Sequence, residues 1–496
     1  MLNNQMYVVV NSLLDTRYQR KTGIPRVEYE VAKYLVARGA KAVAWKGRQF
    51  ISIDFEAFID RADKSQALDL DAICDEPTVA TSMPRLGFAL ARLLEPVARR
   101  TPRWMRLSSA VHRLLARDWP KLSADERREF SQTLGFSRNY ERLARFLDAL
   151  VARRGGGSRD ISLNTKAEFR DDAVMIMLGI WWSNRPFRAV EELKTSHGLR
   201  FVSMVYDLLP IRRPEFFGSP SFSATFKKHV DHVIRLSDAI CAISQSTARD
   251  VTAYAAEAGV AIHPVKPIPL CSEMKQSTPP VHSKRLRETG LRPNGFALFV
   301  STVNPRKNHW FAYQLWRRAV ETMGDQVPTL VFAGQLDGGS GLGLIAQDAM
   351  MWQRKLLFIE GPMDGEVAWL YANCAFTLFP SWSEGWGLPI TESLLYGKYC
   401  LAGDNSSQPE AGQGLAFHAD VLDGAAWLAE LRRLITEPGY LETANARVRD
   451  GFVARTWNDV SADVYDAIKT VVASPPIETA RKSPGGAEIR PSIASA

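Results

Sequence analysis

The chain has 496 residues and a formal net charge of +8, with 46% hydrophobic and 23% charged residues. That length admits two or three domains, and the apolar content is that of a globular protein. The moderate positive charge suits an anionic ligand or an anionic membrane surface and is not by itself a nucleic-acid signature. No stretch reaches the roughly 18 apolar residues that a membrane-spanning helix needs. The N-terminus lacks the basic, apolar, small-residue order of a secretion signal. Five cysteines (Cys74, Cys241, Cys271, Cys374, Cys400) show no C-x-x-C pair and no metal spacing. They read as reduced core thiols, so a cytoplasmic protein is expected.

The first predicted strand is Met6 to Val10. A loop with Lys21-Thr22-Gly23-Ile24-Pro25-Arg26 follows. Then comes a helix with Val27, Val31, Tyr34 and Leu35 on one face, stopped at Gly39, and a second strand over 42–45. This is a βαβ start. Residues from about 50 to 170 break the alternation and read as a helical insertion. Within it, Arg85 to Trp119 carries eight arginines among leucines, and Pro96, Pro102 and Pro120 cut it into short helices. Such a stretch lies on a membrane surface or packs its apolar face on the domain; both readings stay open. Gly155-Gly156-Gly157-Ser158 marks a loop.

The alternation resumes with strands from Ala173 to Trp181, Phe201 to Val205 and Ala239 to Ile243. They end in Trp182, in Tyr206-Asp207 and in Ser244, the last with a helix-capping pattern. Ligands gather at such strand ends in open α/β sheets, so Trp182, Asp207 and Ser244 are expected to face one cleft. The proline-rich residues 263–284 read as a linker. A second α/β domain opens with Phe296 to Val300, followed by Asn304-Pro305-Arg306-Lys307-Asn308. Arg306 and Lys307 present a fork and a point charge for phosphate. Further strands are expected over 328–333, 355–359 and 398–402, and a helix over 457–472. The Pro-, Ser- and Ala-rich tail from 473 has a disordered composition.

The stretch from Phe379 to Leu395 holds Ser381-Trp382-Ser383-Glu384-Gly385-Trp386-Gly387-Leu388-Pro389 and then Glu392. It reads as a buried strand, a glycine-rich loop and a helix ending at Gly397, with Glu392 expected in the first helical turn. Backbone N–H groups at that helix start suit an anion, and two carboxylates beside it suit hydroxyls. The pattern S-x-x-E-G-x-G-L-P-x-x-E resembles the E-x7-E signature of retaining glycosyltransferases of family 4. The Pro305 to Asn308 run resembles that family's phosphate motif, and the loop at Gly23 its N-terminal glycine loop. The likeness is strong over about 290 to 470, moderate over 173 to 250 and weak elsewhere.

The resemblance implies the GT-B fold: two Rossmann-like domains facing across a cleft, at 1–272 and 285–455. A helix over 456–473 would return to the first domain, and 474–496 would form a tail. It implies a hexosyltransferase that keeps the anomeric configuration, without a metal. The sugar would be mannose-like and come from a nucleotide-sugar, GDP expected over UDP or dTDP. The acceptor would be a glycan or a lipid-linked hydroxyl in bacterial surface polysaccharide or lipopolysaccharide assembly, met at the inner face of the cytoplasmic membrane. Glu384 would hold sugar hydroxyls while Arg306 and Lys307 stabilise the leaving phosphate. Glu392 would accept from ribose; Gly23, Gly385, Gly387, Leu388, Gly361 and Met363 would line the donor. Tyr206 stands where the family commonly has histidine before Asp207; with Trp182 and Ser244 these would meet sugar or acceptor. Rival readings are a GT-B nucleotide-sugar 2-epimerase and a silent nucleotide-sugar-binding subunit.

Overall fold

The computed structural model describes residues 6–14, 23–46, 48–59, 166–180, 186–217, 220–272, 279–336 and 342–473. The basic stretch from Arg85 to Arg117, the Gly155 to Ser158 loop, Cys74, Trp182 and the tail from 474 lie outside these residues. Residues 1–53 with 164–496 form one compact unit, and 54–163 a second. Of the second unit, 54–59 are described; they start a helical turn in which Asp54 accepts from the Ala57 N–H at 3.0 Å.

The first unit holds two sheets. One has seven strands in the order β3-β2-β1-β4-β5-β6-β7. These are β1 Met6–Val9, β2 Lys41–Lys46, β3 Gln49–Ser52, β4 Val174–Met177, β5 Arg200–Val205, β6 Ala239–Ala242 and β7 Lys266–Pro267. All pairings are parallel except β2 with β3. The central β1 and β4 are buried throughout, as apolar runs covered on both faces must be. The second sheet is wholly parallel, ordered β10-β9-β8-β11-β12-β13. Its strands are β8 Phe296–Val300, β9 Thr329–Gly334, β10 Leu356–Glu360, β11 Thr377–Phe379, β12 Cys400–Gly403 and β13 Phe417–Ala419. In both sheets the order reverses beside the first strand, between β1 and β4 and between β8 and β11. Crevices open at such reversals.

Three expectations change. The strand read as Ala173 to Trp181 ends at Met177, although Leu178 and Ile180 stay buried. The proline-rich linker contains β7, which pairs with β6; Pro267 is tolerated because β7 is the sheet edge, where an amide is not needed on the outer side. Gln49–Ser52, at the margin of the expected insertion, is a strand paired antiparallel with β2.

The last helix, Trp457–Ala473, buries Val460, Val464, Ala467, Ile468 and Val471, a stripe at helical spacing. It packs on the first sheet's domain. Lys266 Nζ donates to the Asp463 carbonyl at 3.0 Å, and Tyr34 of the Ile24–Val36 helix meets Tyr465 edge-on at 6.5 Å.

Candidate functional site

The turn after β8 and the loop after β11 are neighbours because β8 and β11 are neighbours. Asn304 caps a short turn, Pro305–Lys307, accepting from the Lys307 N–H. The turn is stitched to the loop: the Arg306 carbonyl accepts from the Trp382 N–H at 2.9 Å and from Ser381 Oγ at 3.1 Å. This sets both cations against Glu384. Lys307 Nζ donates to Glu384 Oε1 at 2.6 Å, Arg306 Nη1 to Glu384 Oε2 at 2.7 Å, and Ser381 Oγ to Oε1 at 2.5 Å. Arg306 also reaches the Ser383 carbonyl at 2.5 Å.

The Glu384 side chain is only 8% exposed. Burial alone would raise its carboxyl, but Arg306 and Lys307 overturn this and hold it well below the usual carboxylate range. Burial pushes the Lys307 ammonium down, against the pull of Glu384. The group is therefore a fixed carboxylate shared by two cations, and without it both cations would be left buried and unpaired. His309, behind it, stacks on Phe299 at 4.4 Å. Burial first, and Lys307 second, lower it to about 3, so it is neutral.

The two glycines have different reasons. A Cβ at Gly385 would lie 2.4 Å from the Tyr206 carbonyl oxygen and 3.2 Å from Ile243, both on the other sheet's domain. Gly387 has φ 115°, a left-handed value that starts the Leu388–Leu395 helix. Glu392 falls in the second turn of that helix rather than the first, because the helix begins at Leu388. It accepts from Tyr371 Oη at 2.9 Å. Burial raises its carboxyl to about 7, opposed by the Tyr371 hydroxyl and by Arg26. Arg26 lies three residues past Gly23, which has φ 61° and precedes the Ile24–Val36 helix. The glycine loop and Glu392 thus share a neighbourhood. Leu388 is half-buried. Gly361 follows β10 with φ 55°; the Met363 N–H is taken by Glu366 at 2.9 Å, while its side chain is exposed.

On the opposite side, Asp207 accepts from the Leu209 N–H at 3.0 Å. Burial raises its carboxyl, against Arg306 before any other group. Asp207 therefore stands in the field of the Glu384 cluster. Tyr206 and Ser244 do not offer free groups to a cleft. The Tyr206 hydroxyl donates to the Leu178 carbonyl at 2.5 Å and the residue is buried. Ser244 is fully buried and caps the Gln245–Glu257 helix, accepting from the Thr247 N–H at 2.9 Å. Trp182 lies outside the described residues.

Two further features escaped sequence reasoning. Ser406 and Ser407, after β12, hold the glycine loop: Ser406 Oγ accepts from the Glu384 N–H at 2.9 Å, and Ser407 Oγ donates to the Trp386 carbonyl at 2.7 Å. Glu28 is fully buried on the apolar face of the Ile24–Val36 helix, where Ser12 N–H donates to it and Gly179 leaves it room. Burial, moderated by Ser12, raises its carboxyl to about 8. An ionisable residue at a core-facing position of that helix is the signal that could have found it.

Residues 283–449 match the family described as glycosyl transferases group 1. Over 216 residues the chain is 26% identical to the serotype-specific mannosyltransferase WbdA of Escherichia coli, a match covering 42% of this chain and 26% of WbdA. The chain thus spans about a quarter of that relative. Among solved structures, the α,α-trehalose 6-phosphate synthase of Burkholderia multivorans superposes with a TM-score of 0.53 at 12% identity, covering 95% of this chain and 99% of that one. Anabaena Alr3699/HepE in complex with UDP and glucose gives 0.51 at 13% identity, covering 94% and 99%. These likenesses extend over both sheets and show the fold. The chain has the two-domain GT-B fold, and its residues 283–449, which carry Arg306, Lys307, Glu384 and Glu392, match the glycosyl transferases group 1 family.

Proposed function

We propose that this chain moves a mannose-like hexose from a nucleotide-sugar to a hydroxyl of a glycan or lipid-linked acceptor, with retention and without a metal. The observation that carries the reading is Glu384 held between Arg306 and Lys307 at the β8/β11 reversal, with Asp207 across from it. In the step proposed, the bond from the sugar's anomeric carbon to the diphosphate breaks. The acceptor oxygen bonds to the same face, and its proton passes to the departing phosphate oxygen. Negative charge grows on that phosphate, and two positioned cations are suited to meet it. Glu384, kept ionised, accepts from sugar hydroxyls; Glu392 accepts from ribose. Asp207 approaches from the acceptor side.

The likeness to the serotype-specific mannosyltransferase WbdA and to an O-antigen chain mannosyltransferase supports a mannose-like sugar and a place in bacterial surface polysaccharide or lipopolysaccharide assembly; a GDP donor is part of the proposal. HepE holds UDP and glucose, which makes UDP-sugars the first competitor. No helix among the described residues is long and apolar enough to cross a membrane. We place the enzyme in the cytoplasm, docking peripherally through the arginines between Arg85 and Arg117; co-sedimentation with anionic vesicles, released by salt, checks this.

The decisive experiment is a thermal-shift screen of GDP-, UDP- and dTDP-sugars, followed by turnover of the binder with glycan acceptors in the presence of EDTA. An α-donor giving an α-linked product supports the reading. A β-linked product overturns retention, loss of turnover in EDTA overturns metal independence, and exchange at C2 of donor alone favours a 2-epimerase.

A further inference from the structure

One carboxylate crosses between the two domains. Glu410 lies on the short helix Gln408–Gly412, after β12. Its Oε2 accepts from the Gln245 N–H and its Oε1 from the Ser246 N–H, both at 2.7 Å. These are the first two amides of the Gln245–Glu257 helix, and the third, Thr247, is capped by Ser244. The helix start is thus filled by an acid 165 positions away in the chain. A helix N-terminus favours such a charge, and paired charge-assisted bonds fix its position in two directions. Arg249 adds a distant, exposed contact at 4.0 Å, worth little.

The same segment grips the glycine loop. Ser407 Oγ donates to the Trp386 carbonyl, and Gln408 Nε2 donates to the Ser381 carbonyl at 2.9 Å. Beside the Glu410 contact, Thr247 Oγ1 is shared between the Tyr206 carbonyl at 3.3 Å and the Gly385 carbonyl at 3.4 Å. Gly385 is pressed so closely on Tyr206 that no Cβ fits. Residues 407–410 therefore hold the loop carrying Glu384 with one end and the opposite domain with the other.

We infer that Glu410 is a positioning residue. Its carboxylate, seated on the Gln245–Glu257 helix, sets the closed register that brings Asp207 to the Glu384 cluster, and it must release for the cleft to open. The inference rests on the transferase reading for its consequence in turnover but not for its geometry. Apart from the Gly23 loop, the groups assigned to the donor sit on the second domain, so loss of the latch leaves donor binding largely intact while slowing the step that needs both domains.

The test compares the full chain with Glu410→Ala and Glu410→Gln. Small-angle scattering without ligand and amide exchange at Gln245 and Ser246 need no substrate. The Ala variant is expected to show a larger radius of gyration and exchange at those two amides faster by on the order of tenfold. Turnover is expected to fall by a similar factor with donor affinity little changed, and Gln, which keeps one acceptor, recovers part of both. Unchanged scattering and exchange in Glu410→Ala overturn the latch. A fall in donor affinity that matches the fall in turnover, with unchanged scattering, overturns it in favour of a local donor contact. If the wild-type chain turns over no donor, the transferase reading fails while scattering and exchange still decide on Glu410.

Discussion

Replacing Glu384 with Gln removes the charge that two cations share. Lys307 and Arg306 have side chains 12% and 19% exposed, and each lies within 2.7 Å of the Glu384 carboxylate. Breaking a buried ion pair from one side costs about 3–5 kcal/mol, because the remaining charge is left buried and unpaired. Gln keeps one oxygen for Lys307 or Ser381, which places the expected loss near 3 kcal/mol. For a domain of this size that is a drop of about 6–12 °C in melting temperature. The loss has an internal limit, since Lys307 can shed its proton. Its folded pKa lies below its unfolded value, and the variant deepens that gap. The unfolded chain then binds more protons than the folded one, so the variant's stability climbs with pH and its deficit is larger at pH 6 than at pH 8. A nucleoside diphosphate would supply the missing negative charge. Thermal unfolding with and without GDP or UDP at pH 6 and pH 8 reads all three effects. A variant within about 1 kcal/mol of wild type at pH 6, or one stabilised less than wild type by nucleotide, would refute the idea that Glu384 neutralises the buried cations.

Three other outcomes follow from the geometry. Lys307→Ala should cut kcat on the order of 10²-fold with a smaller change in donor affinity, because its charge meets one that grows in the transition state; steady-state kinetics showing only a raised KM would assign it uniform binding instead. Glu392→Gln should weaken donor binding by roughly 1.5–3 kcal/mol. Wild-type affinity, measured by calorimetry, should tighten as pH rises through about 7, where Glu392 becomes a carboxylate, and the variant should be flat. Glu28 stays protonated when folded up to about 8, well above its ordinary value of 4.5. Between these values the folded chain holds a proton that the unfolded chain has lost, so stability falls as pH rises, by up to about 5 kcal/mol. Glu28→Gln should remove that slope in melting curves from pH 5 to pH 8.5, and an unchanged slope would place the titration elsewhere.

The parts of the site were legible because they are local. A buried strand, then Asn304 to Asn308, needs only its own neighbours to form a capped turn, and Gly387 with Pro389 starts a helix wherever it stands. Apolar runs marked β1, β5, β6 and β8 to within a residue or two for the same reason. What the parts do to one another was not local. Arg306 and Glu384 are 78 positions apart and meet only because β8 and β11 pair. Tyr206 read as a hydrogen-bond donor to a ligand, yet the carbonyl of Leu178, just past the neighbouring strand β4, accepts its hydrogen bond. Ser244 read as both cap and cleft residue; burial left only the cap. Gly385 has no explanation within its own loop, since the atom that excludes a side chain belongs to the other domain. β7 was hidden because prolines argue against strands, a rule that lapses at a sheet edge. The sequence by itself therefore determined which short segments carry charge and how each one folds. The tertiary structure decided which charges are buried together and which hydroxyls are already spent, because burial and Coulomb energy depend on distance in space and not on separation along the chain.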